Sequence, residues 1–205
     1  MDTNRREFIG SCLSLSLIPF LGTEPENEIL KFCRDKLSVK LLKWQEEELL
    51  NMFDNTFYHY SQGRGEGNSY LLSVFAMCNF YLRLDAKILV TGSSYRQVKN
   101  VVRTCYDIQK NSKYVSSSGY GVFYSELSTH TILSQDAMIE GLPLNSEVIR
   151  GFRPDILLID SMSTCNRNSL NSILAGVCTV NSKPIETIKT GKLVYSKPFH
   201  IIGSC

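Results

Sequence analysis

One short polar segment of the 205-residue chain carries residue types that could hold phosphate. Residues 61–70, SQGRGEGNSY, place three glycines just ahead of an apolar stretch. Glycines let backbone N–H groups approach anionic oxygens, and a helix N-terminus attracts negative charge. A phosphate loop usually has a lysine before its Ser or Thr, but here Asn68 precedes Ser69, and Gln62 replaces the first glycine of the usual spacing. The segment alone could equally be a glycine turn.

In a second segment, residues 153–160 (RPDILLID), four consecutive aliphatic residues are followed directly by Asp160. An apolar strand that ends in aspartate can place a carboxylate on a magnesium ion. Strands also end in aspartate without such a role. Because both segments occur in the expected order, together they favour a site for Mg²⁺ and ATP in which Ser69 and Asp160 bind the ion.

The elements that must position these segments alternate between strands and helices. Apolar periodicity predicts two helices within 24–53, and further helices at 68–84, 95–110 and 168–177. Apolar or aromatic runs predict strands at 55–61, 86–92, 153–160 and 199–205. A hairpin or two antiparallel edge strands are expected within 111–140. This order predicts an α/β sandwich with a mostly parallel sheet, which binds ligands at the carboxyl ends of its strands.

Composition fits one ordinary folded domain. Hydrophobic residues make up 43% and charged residues 20%, and the net charge of +2 neither indicates nor excludes a nucleic-acid partner. The seven cysteines form no CxxC pair and the three histidines lie far apart, so no zinc site is expected. We predict reduced, buried thiols.

The N-terminus resembles a twin-arginine export signal, because Arg5 and Arg6 precede an apolar run at 9–21. However, serines interrupt the run, no small-x-small cleavage site follows, and a membrane span needs about 20 apolar residues. We therefore predict a cytoplasmic protein without a stable membrane span. The alternative is an exported, non-enzymatic α/β binding protein whose glycine segment is only a turn.

Five segments, in order, resemble the N-terminal ATPase domain of the large terminase of tailed phages, the motor that packages DNA into capsids. They are the adenine-contacting segment (42–50), the phosphate loop (64–69), a strand and helix (87–102), an Arg-Gly element with the acidic strand (149–160), and the coupling motif (200–205). The resemblance covers residues 38–205 and leaves 1–37 as an N-terminal segment. It implies a P-loop NTPase of the RecA-like/ASCE class, a three-layer sandwich.

The resemblance also implies roles for individual residues. The implied nucleotide ligands are Gln45, at the adenine, and the loop residues Arg64, Gly65, Gly67, Asn68 and Ser69. The implied magnesium ligands are Ser69 and Asp160, and the tip of the coupling motif is formed by Gly203 and Ser204.

Two catalytic positions depart from the family. Asn68 replaces the loop lysine, and Ser161 replaces the glutamate that orients the attacking water. Loss of one well-placed charged or polar group typically costs on the order of 10²–10³ in rate. We therefore expect weakened or absent hydrolysis, with weak or absent binding of ATP and Mg²⁺. The alternative is an active packaging ATPase in which Arg64 replaces the lysine and a carboxylate such as Glu147 or Asp155 reaches the water.

The resemblance further implies partners. These are double-stranded DNA, the portal and the small terminase subunit, and further copies of the chain in a homo-oligomer. The nuclease domain that follows in this family has no counterpart within the 205 residues.

Overall fold

A computed structural model describes residues 26–63, 65–83, 86–113, 123–125, 130–133, 137–144, 149, 152–171 and 200–204. The helices are α1 (Glu26–Asp35), α2 (Lys43–Asp54), α3 (Asn68–Leu82) and α4 (Tyr95–Asn111). Residues 167–171 are also helical. The strands are β1 (Phe57–Tyr60), β2 (Lys87–Gly92), β3 (Phe123–Ser125), β4 (His130–Leu133), β5 (Met138–Gly141), β6 (Ile156–Asp160) and β7 (His200–Ser204).

The strands form one sheet in the order β1-β7-β6-β2-β5-β4-β3. The first five strands in this order are parallel, and β4 and β3 extend the sheet as an antiparallel pair. The last strand in sequence, β7, therefore lies between the first strand and β6. The prediction of a mostly parallel sheet is confirmed.

Helix α3 is the centre of the larger core. Its residues 71–80 are all buried, because the sheet lies on one side and α1, α2 and α4 pack on the others. An apolar helix of this kind is expected inside a protein and not on its surface. Buried Ser73 is bonded within the core: its hydroxyl lies 2.8 Å from the Ser69 carbonyl and 3.0 Å from that of Val101. Each fully buried Leu or Phe contributes roughly 1.5–3 kcal/mol.

A second, smaller core covers the opposite face of the sheet. Side chains alternate between faces along a strand. Leu158 of β6 accordingly joins the α3 core, whereas Leu157 and Ile159 pack with Leu142, Ile149 and Leu170. The sheet is thus packed on both faces. Asp160, in register with Gly92 of β2, comes one residue after Ile159 and belongs to the α3 side.

The predicted strands at 55–61, 86–92, 153–160 and 199–205 correspond to β1, β2, β6 and β7. Helix α3 ends at Leu82, two residues earlier than predicted, because Arg83 has an extended backbone (φ −111°, ψ 120°). The predicted antiparallel pair is present as β3 and β4. Strand β5 was not predicted separately and joins the parallel part of the sheet through β2.

The predicted N-terminal segment lies in part outside the described residues, which begin at 26. Its described part shares the main core, since Cys33 and Leu37 are fully buried there. Cys33, Cys78 and Cys105 are buried free thiols, as predicted. None of the helices in the described part of the chain combines the length and apolar content needed to cross a bilayer. The predicted helix at 168–177 begins at residue 167, and its residues after 171 lie outside the described residues.

Candidate functional site

Three parallel strands end side by side at one edge of the sheet and bring their last residues together. Tyr60 ends β1, Ser204 ends β7 and Asp160 ends β6. The first turn of α3 approaches the same edge: the Ser69 hydroxyl donates to Asp160, lying 3.0 Å from Oδ1 and 3.1 Å from Oδ2. The Ser204 hydroxyl donates to Oδ1 at 3.0 Å. The predicted pairing of Ser69 with Asp160 is therefore observed in the geometry.

Asp160 is a buried carboxylate with only 3% of its surface exposed. Burial raises its pKa, and hydrogen bonds from Ser69, Ser204 and the backbone N–H of Ser161 oppose this rise without cancelling it. A nearby cation would favour the charged form and lower the pKa again. The position therefore suits a bound metal ion electrostatically. Oxygen ligands of this kind, a hydroxyl and a carboxylate, are those Mg²⁺ prefers.

The glycine segment forms a tight turn that leads into α3. The Glu66 N–H donates to the Gly63 carbonyl at 3.2 Å, and Gly65 and Gly67 have φ of +86° and +96°. L side chains adopt such φ values at a cost, which explains glycine at both positions. Gly67, the residue before α3, has no side chain and so supplies no side-chain cap to the helix. The first amides of the helix and its positive end suit an anion.

Two hydrogen bonds join the loop to neighbouring elements, and a third lies within the loop. Gln45 Nε2 of α2 donates to the Glu66 carbonyl at 3.4 Å, and Asn68 Nδ2 donates to the Gln62 carbonyl at 3.3 Å. The Tyr60 hydroxyl donates to the Asn68 carbonyl at 2.8 Å. Burial and the neighbouring carboxylate of the site raise the pKa of Tyr60 far above its usual range, so this phenol stays a donor. The loop conformation is thus set before any ligand arrives.

Charge within the described part of the loop is negative. Asn68, predicted to replace the lysine, donates its amide N–H to a backbone carbonyl of the loop itself. The Glu66 carboxylate lies close to Gly63. A β-carbon added to Gly63 would be only 2.9 Å from Glu66 Oε1. Arg64, the cation predicted to replace the lysine, lies outside the described residues.

Ser161, predicted to replace a glutamate of the resembling family, has left-handed backbone angles (φ 55°, ψ 52°). Its N–H donates to Ser204 Oγ at 3.1 Å, and its carbonyl accepts from the N–H of Thr164 at 3.0 Å. A 3-10 turn, Met162–Thr164, follows. In the structure Ser161 thus begins a turn that is hydrogen-bonded to the end of β7.

Gly203, one residue before the end of β7, is approached closely by Met162. A β-carbon at this glycine would lie 2.7 Å from Met162 Sδ. Together with the Ser204 bonds, this contact links the predicted coupling motif directly to the residues that follow Asp160.

The structure brings most predicted site residues to this one edge: Gln45, Gly65, Gly67, Asn68, Ser69, Asp160, Ser161, Gly203 and Ser204. Glu147 lies outside the described residues, as does the Arg-Gly pair at 150–151. Their roles stay predictions.

Asp155, proposed as an alternative water-activating carboxylate, is in the wrong place. It precedes β6, where its Oδ2 accepts the Lys87 N–H at 2.9 Å. Five residues of strand separate it from Asp160, about 16 Å at 3.3 Å per residue. It pins the amino end of β6 to β2 and cannot reach chemistry at the other end.

Tyr60 is the site residue that the sequence interpretation missed. It falls within the strand predicted at 55–61, and no role was predicted for it. The available signal was its position as the last aromatic residue of the run before the glycine loop. That signal does not reveal the bond to Asn68, which depends on how the loop turns back.

Comparison with solved structures gives fold similarity at low sequence identity. The chain is similar to the crystal structure of the HK97 bacteriophage large terminase with a TM-score of 0.66 and 12% identity, over 89% of this chain and 38% of that one. It is similar to the ATPase domain of a Thermus phage large terminase with a TM-score of 0.58 and 15% identity, over 85% and 68%. The chain has the fold of a large terminase ATPase domain.

A third similarity agrees with this fold. The N-terminal domain of the DNA packaging ATPase from bacteriophage phi29 matches with a TM-score of 0.50 and 12% identity, over 77% of this chain and 76% of that one. No sequence profile of a known protein family matches the chain, and a search of curated proteins finds no match. The predicted α/β P-loop fold with a mostly parallel sheet is thus confirmed by its similarity to terminase ATPase structures. The chain spans less than half the length of the HK97 protein.

Proposed function

We propose that this chain is a terminase-like packaging ATPase domain that binds the magnesium complex of ATP at the glycine loop and hydrolyses it slowly or not at all. The observation that carries the proposal is the contact between Ser69 and Asp160. It joins the first turn of the helix after the loop to the carboxyl end of β6 at 3.0 Å. A simple glycine turn requires no such partner.

The residues present fit a nucleotide and its ion. Ser69 and Asp160 would hold Mg²⁺, and the amides of the loop from Gly65 to Ser69 would hold the phosphates. Mg²⁺ held by Ser69 and Asp160 would neutralise the charge of the phosphates. The chain itself contributes a fixed loop, a buried carboxylate and a helix N-terminus.

The same residues explain why hydrolysis should be weak. Asn68 supplies no positive charge, and Ser161 supplies no base. Each loss costs roughly 10²–10³ in rate. An Arg64 side chain that replaces the lysine charge is the competing proposal, because it would restore phosphate affinity without restoring a base.

The proposed partners are those of a packaging motor. We propose double-stranded DNA, the portal, the small terminase subunit and other copies of this chain, acting in the cytoplasm of the host cell. The support is the similarity of fold to terminase ATPase domains, since the net charge of +2 by itself favours no partner.

Restoring the missing groups tests the proposal. The variants are Asn68→Lys and Asn68→Lys combined with Ser161→Glu, measured for affinity towards ATP and a nonhydrolysable analogue with Mg²⁺, and for turnover with and without DNA. Asn100→Lys is the matched control, because it adds the same charge on an exposed position of α4 away from the loop.

We expect wild-type protein to bind the analogue weakly. Asn68→Lys should bind it at least tenfold more tightly, the double variant should add turnover, and the control should match wild type. Absence of any binding by all proteins would refute the nucleotide site. DNA-stimulated turnover by wild-type protein would instead establish the active ATPase.

A further inference from the structure

Four basic side chains lie along one side of helix α4 and form a basic stripe: Arg96, Lys99, Arg103 and Lys110. Residues seven apart on a helix differ by only about 20° around its axis, so Arg96, Arg103 and Lys110 lie almost in line. Lys99 lies within about 60° of Arg96, because it follows three residues later. At about 1.5 Å of rise per residue, the stripe extends over about 21 Å from Arg96 to Lys110.

The basic stripe faces away from the core. The opposite side of α4 packs on α3 and on the sheet, and its buried residues are Val98, Val101, Val102, Cys105, Ile108 and Gln109. Arg96, Arg103 and Lys110 are exposed, and Lys99 is half-buried. Among the described residues, no carboxylate forms an ion pair with the three exposed cations. These cations are therefore accessible to an external anion.

Charge is distributed unevenly between the helices of this protein. Helix α4 carries four basic residues and one acidic residue, Asp107, a net charge of +3, whereas the whole chain carries +2. Helix α2 carries four acidic residues and one basic residue, a net charge of −3. It packs against the edge strand β1, whereas α4 packs against β2, β5 and β4. Positive and negative charge are thus concentrated over different parts of the sheet, and such a field draws a polyanion towards α4.

We propose that the basic stripe is a docking surface for the phosphate backbone of double-stranded DNA. The choice of DNA as the polyanion rests on the proposed function, and the location of the surface rests on the geometry of α4. Duplex DNA presents one negative charge for about every 1.7 Å of its axis, so a row of cations about 21 Å long can meet several phosphates at once. Contacts from arginine and lysine to phosphates position a protein on DNA without reading its sequence. The surface should therefore accept duplexes of any sequence.

An anionic membrane is the other extended surface that attracts basic helices. A helix that binds a membrane inserts an apolar face between the lipids. The apolar face of α4 is buried against α3 and the sheet, so it is not available for insertion. The stripe therefore fits a nucleic-acid backbone better than a lipid surface.

The test compares variants of the full chain that differ in where charge is changed. The stripe variant combines Arg96→Gln, Arg103→Gln and Lys110→Gln. The matched control combines Lys40→Gln, Lys87→Gln and Arg167→Gln, which removes the same charge from exposed positions outside α4. A third variant, Asn100→Lys, adds a cation to the exposed side of α4 next to the stripe.

Three measurements are made on each protein. The first is the dissociation constant for two duplexes of unrelated sequence, between about 50 and 200 mM salt. The second is binding to vesicles of phosphatidylcholine and phosphatidylserine. The third is the dissociation constant for a nonhydrolysable ATP analogue with Mg²⁺, which reports on the glycine loop independently of DNA.

We expect wild-type protein to bind both duplexes equally and to lose affinity steeply as salt rises. The slope of log K against log salt should become shallower by about 2.7 in the stripe variant, roughly 0.9 for each lost phosphate contact, with at least tenfold weaker binding at low salt. The control should change the slope by less than about 1, and Asn100→Lys should bind DNA more tightly with a slope steeper by about 1. All variants should bind the ATP analogue as wild type does.

Equal losses in the stripe variant and the control would overturn the inference, because DNA would then respond only to net charge. Absence of DNA binding by wild-type protein would also overturn it, as would tighter, stripe-dependent binding to the vesicles than to DNA. If wild-type protein binds DNA through the stripe but does not bind the ATP analogue, the proposed nucleotide site fails and the docking surface stands.

Discussion

Replacing Ser69 by alanine tests the core of the site through its dependence on pH. The substitution removes the hydroxyl that lies 3.0 and 3.1 Å from the two oxygens of Asp160. A hydrogen bond to a charged group contributes about 1.5–3 kcal/mol, and one between neutral groups about 0.5–1.5 kcal/mol. Ser69→Ala should therefore cost about twice as much when Asp160 is ionised as when it is protonated.

The direction in which stability changes with pH follows from the raised pKa of Asp160. Burial lifts it above the ordinary value of 3.8, so the folded protein binds this proton more tightly than the unfolded chain does. Wild-type stability contributed by this group is greatest at low pH and falls as pH rises through the folded pKa. Removing the Ser69 donor raises the pKa further, so the loss of stability in the variant is larger and extends to higher pH.

Urea denaturation at pH 4 and pH 8 measures the effect as a difference in the free energy of unfolding. Ser73→Ala is the control, since Ser73 lies one turn further along α3 and bonds only to backbone carbonyls. Its cost should be about 0.5–1.5 kcal/mol at both pH values. An equal cost for Ser69→Ala at the two pH values, or a larger cost at pH 4, would refute the assigned hydrogen bond.

Five further substitutions, at four positions, test the backbone of the site, each by urea denaturation. Gly67→Ala should destabilise the protein by more than about 1–2 kcal/mol, because the new β-carbon adds a close contact to the strain of a positive φ. Gly65→Ala, which has open space around it, should show only the cost of the strain. Equal costs for the two variants would contradict this reasoning. Ser161→Asn should be nearly neutral, because asparagine tolerates left-handed backbone angles. Ser161→Val should cost about 1–2 kcal/mol, because β-branched residues disfavour these angles. Equal stabilities of the two variants would argue against the left-handed turn. Gly92→Ala places a β-carbon 3.1 Å from a backbone carbonyl of β6 and should cost about 1–3 kcal/mol, whereas no loss would mean that the two strand ends can separate freely.

Local sequence patterns were sufficient for most elements. Apolar runs predicted β2 and β6 because a strand buried on both faces needs few polar residues. The start of α4 follows from Ser94, whose hydroxyl accepts the Gln97 N–H at 3.3 Å. Strand β5, with the sequence MIEG, is short and half polar, so only its pairing with β2 identifies it.

The chemistry of the site was also partly local. Gly65, Gly67 and Ser69 could be assigned from the needs of a phosphate loop, and Asp160 from its place at the end of an aliphatic run. The role of Asp155 could not be assigned in this way. The two aspartates differ in which end of β6 they occupy, and only the direction of the strand in the sheet decides which one faces the loop.

What the sequence by itself determined was most of the elements and the residue types that can bind phosphate and metal, because helix and strand periods and glycine angles depend on near neighbours. Only the tertiary structure decided that β7, the last strand, lies between β1 and β6 and brings Ser204 to Asp160. It also decided that Gln45 and Tyr60 hold the loop. Those contacts join residues that are near in space through strand order and helix packing, which no local pattern encodes.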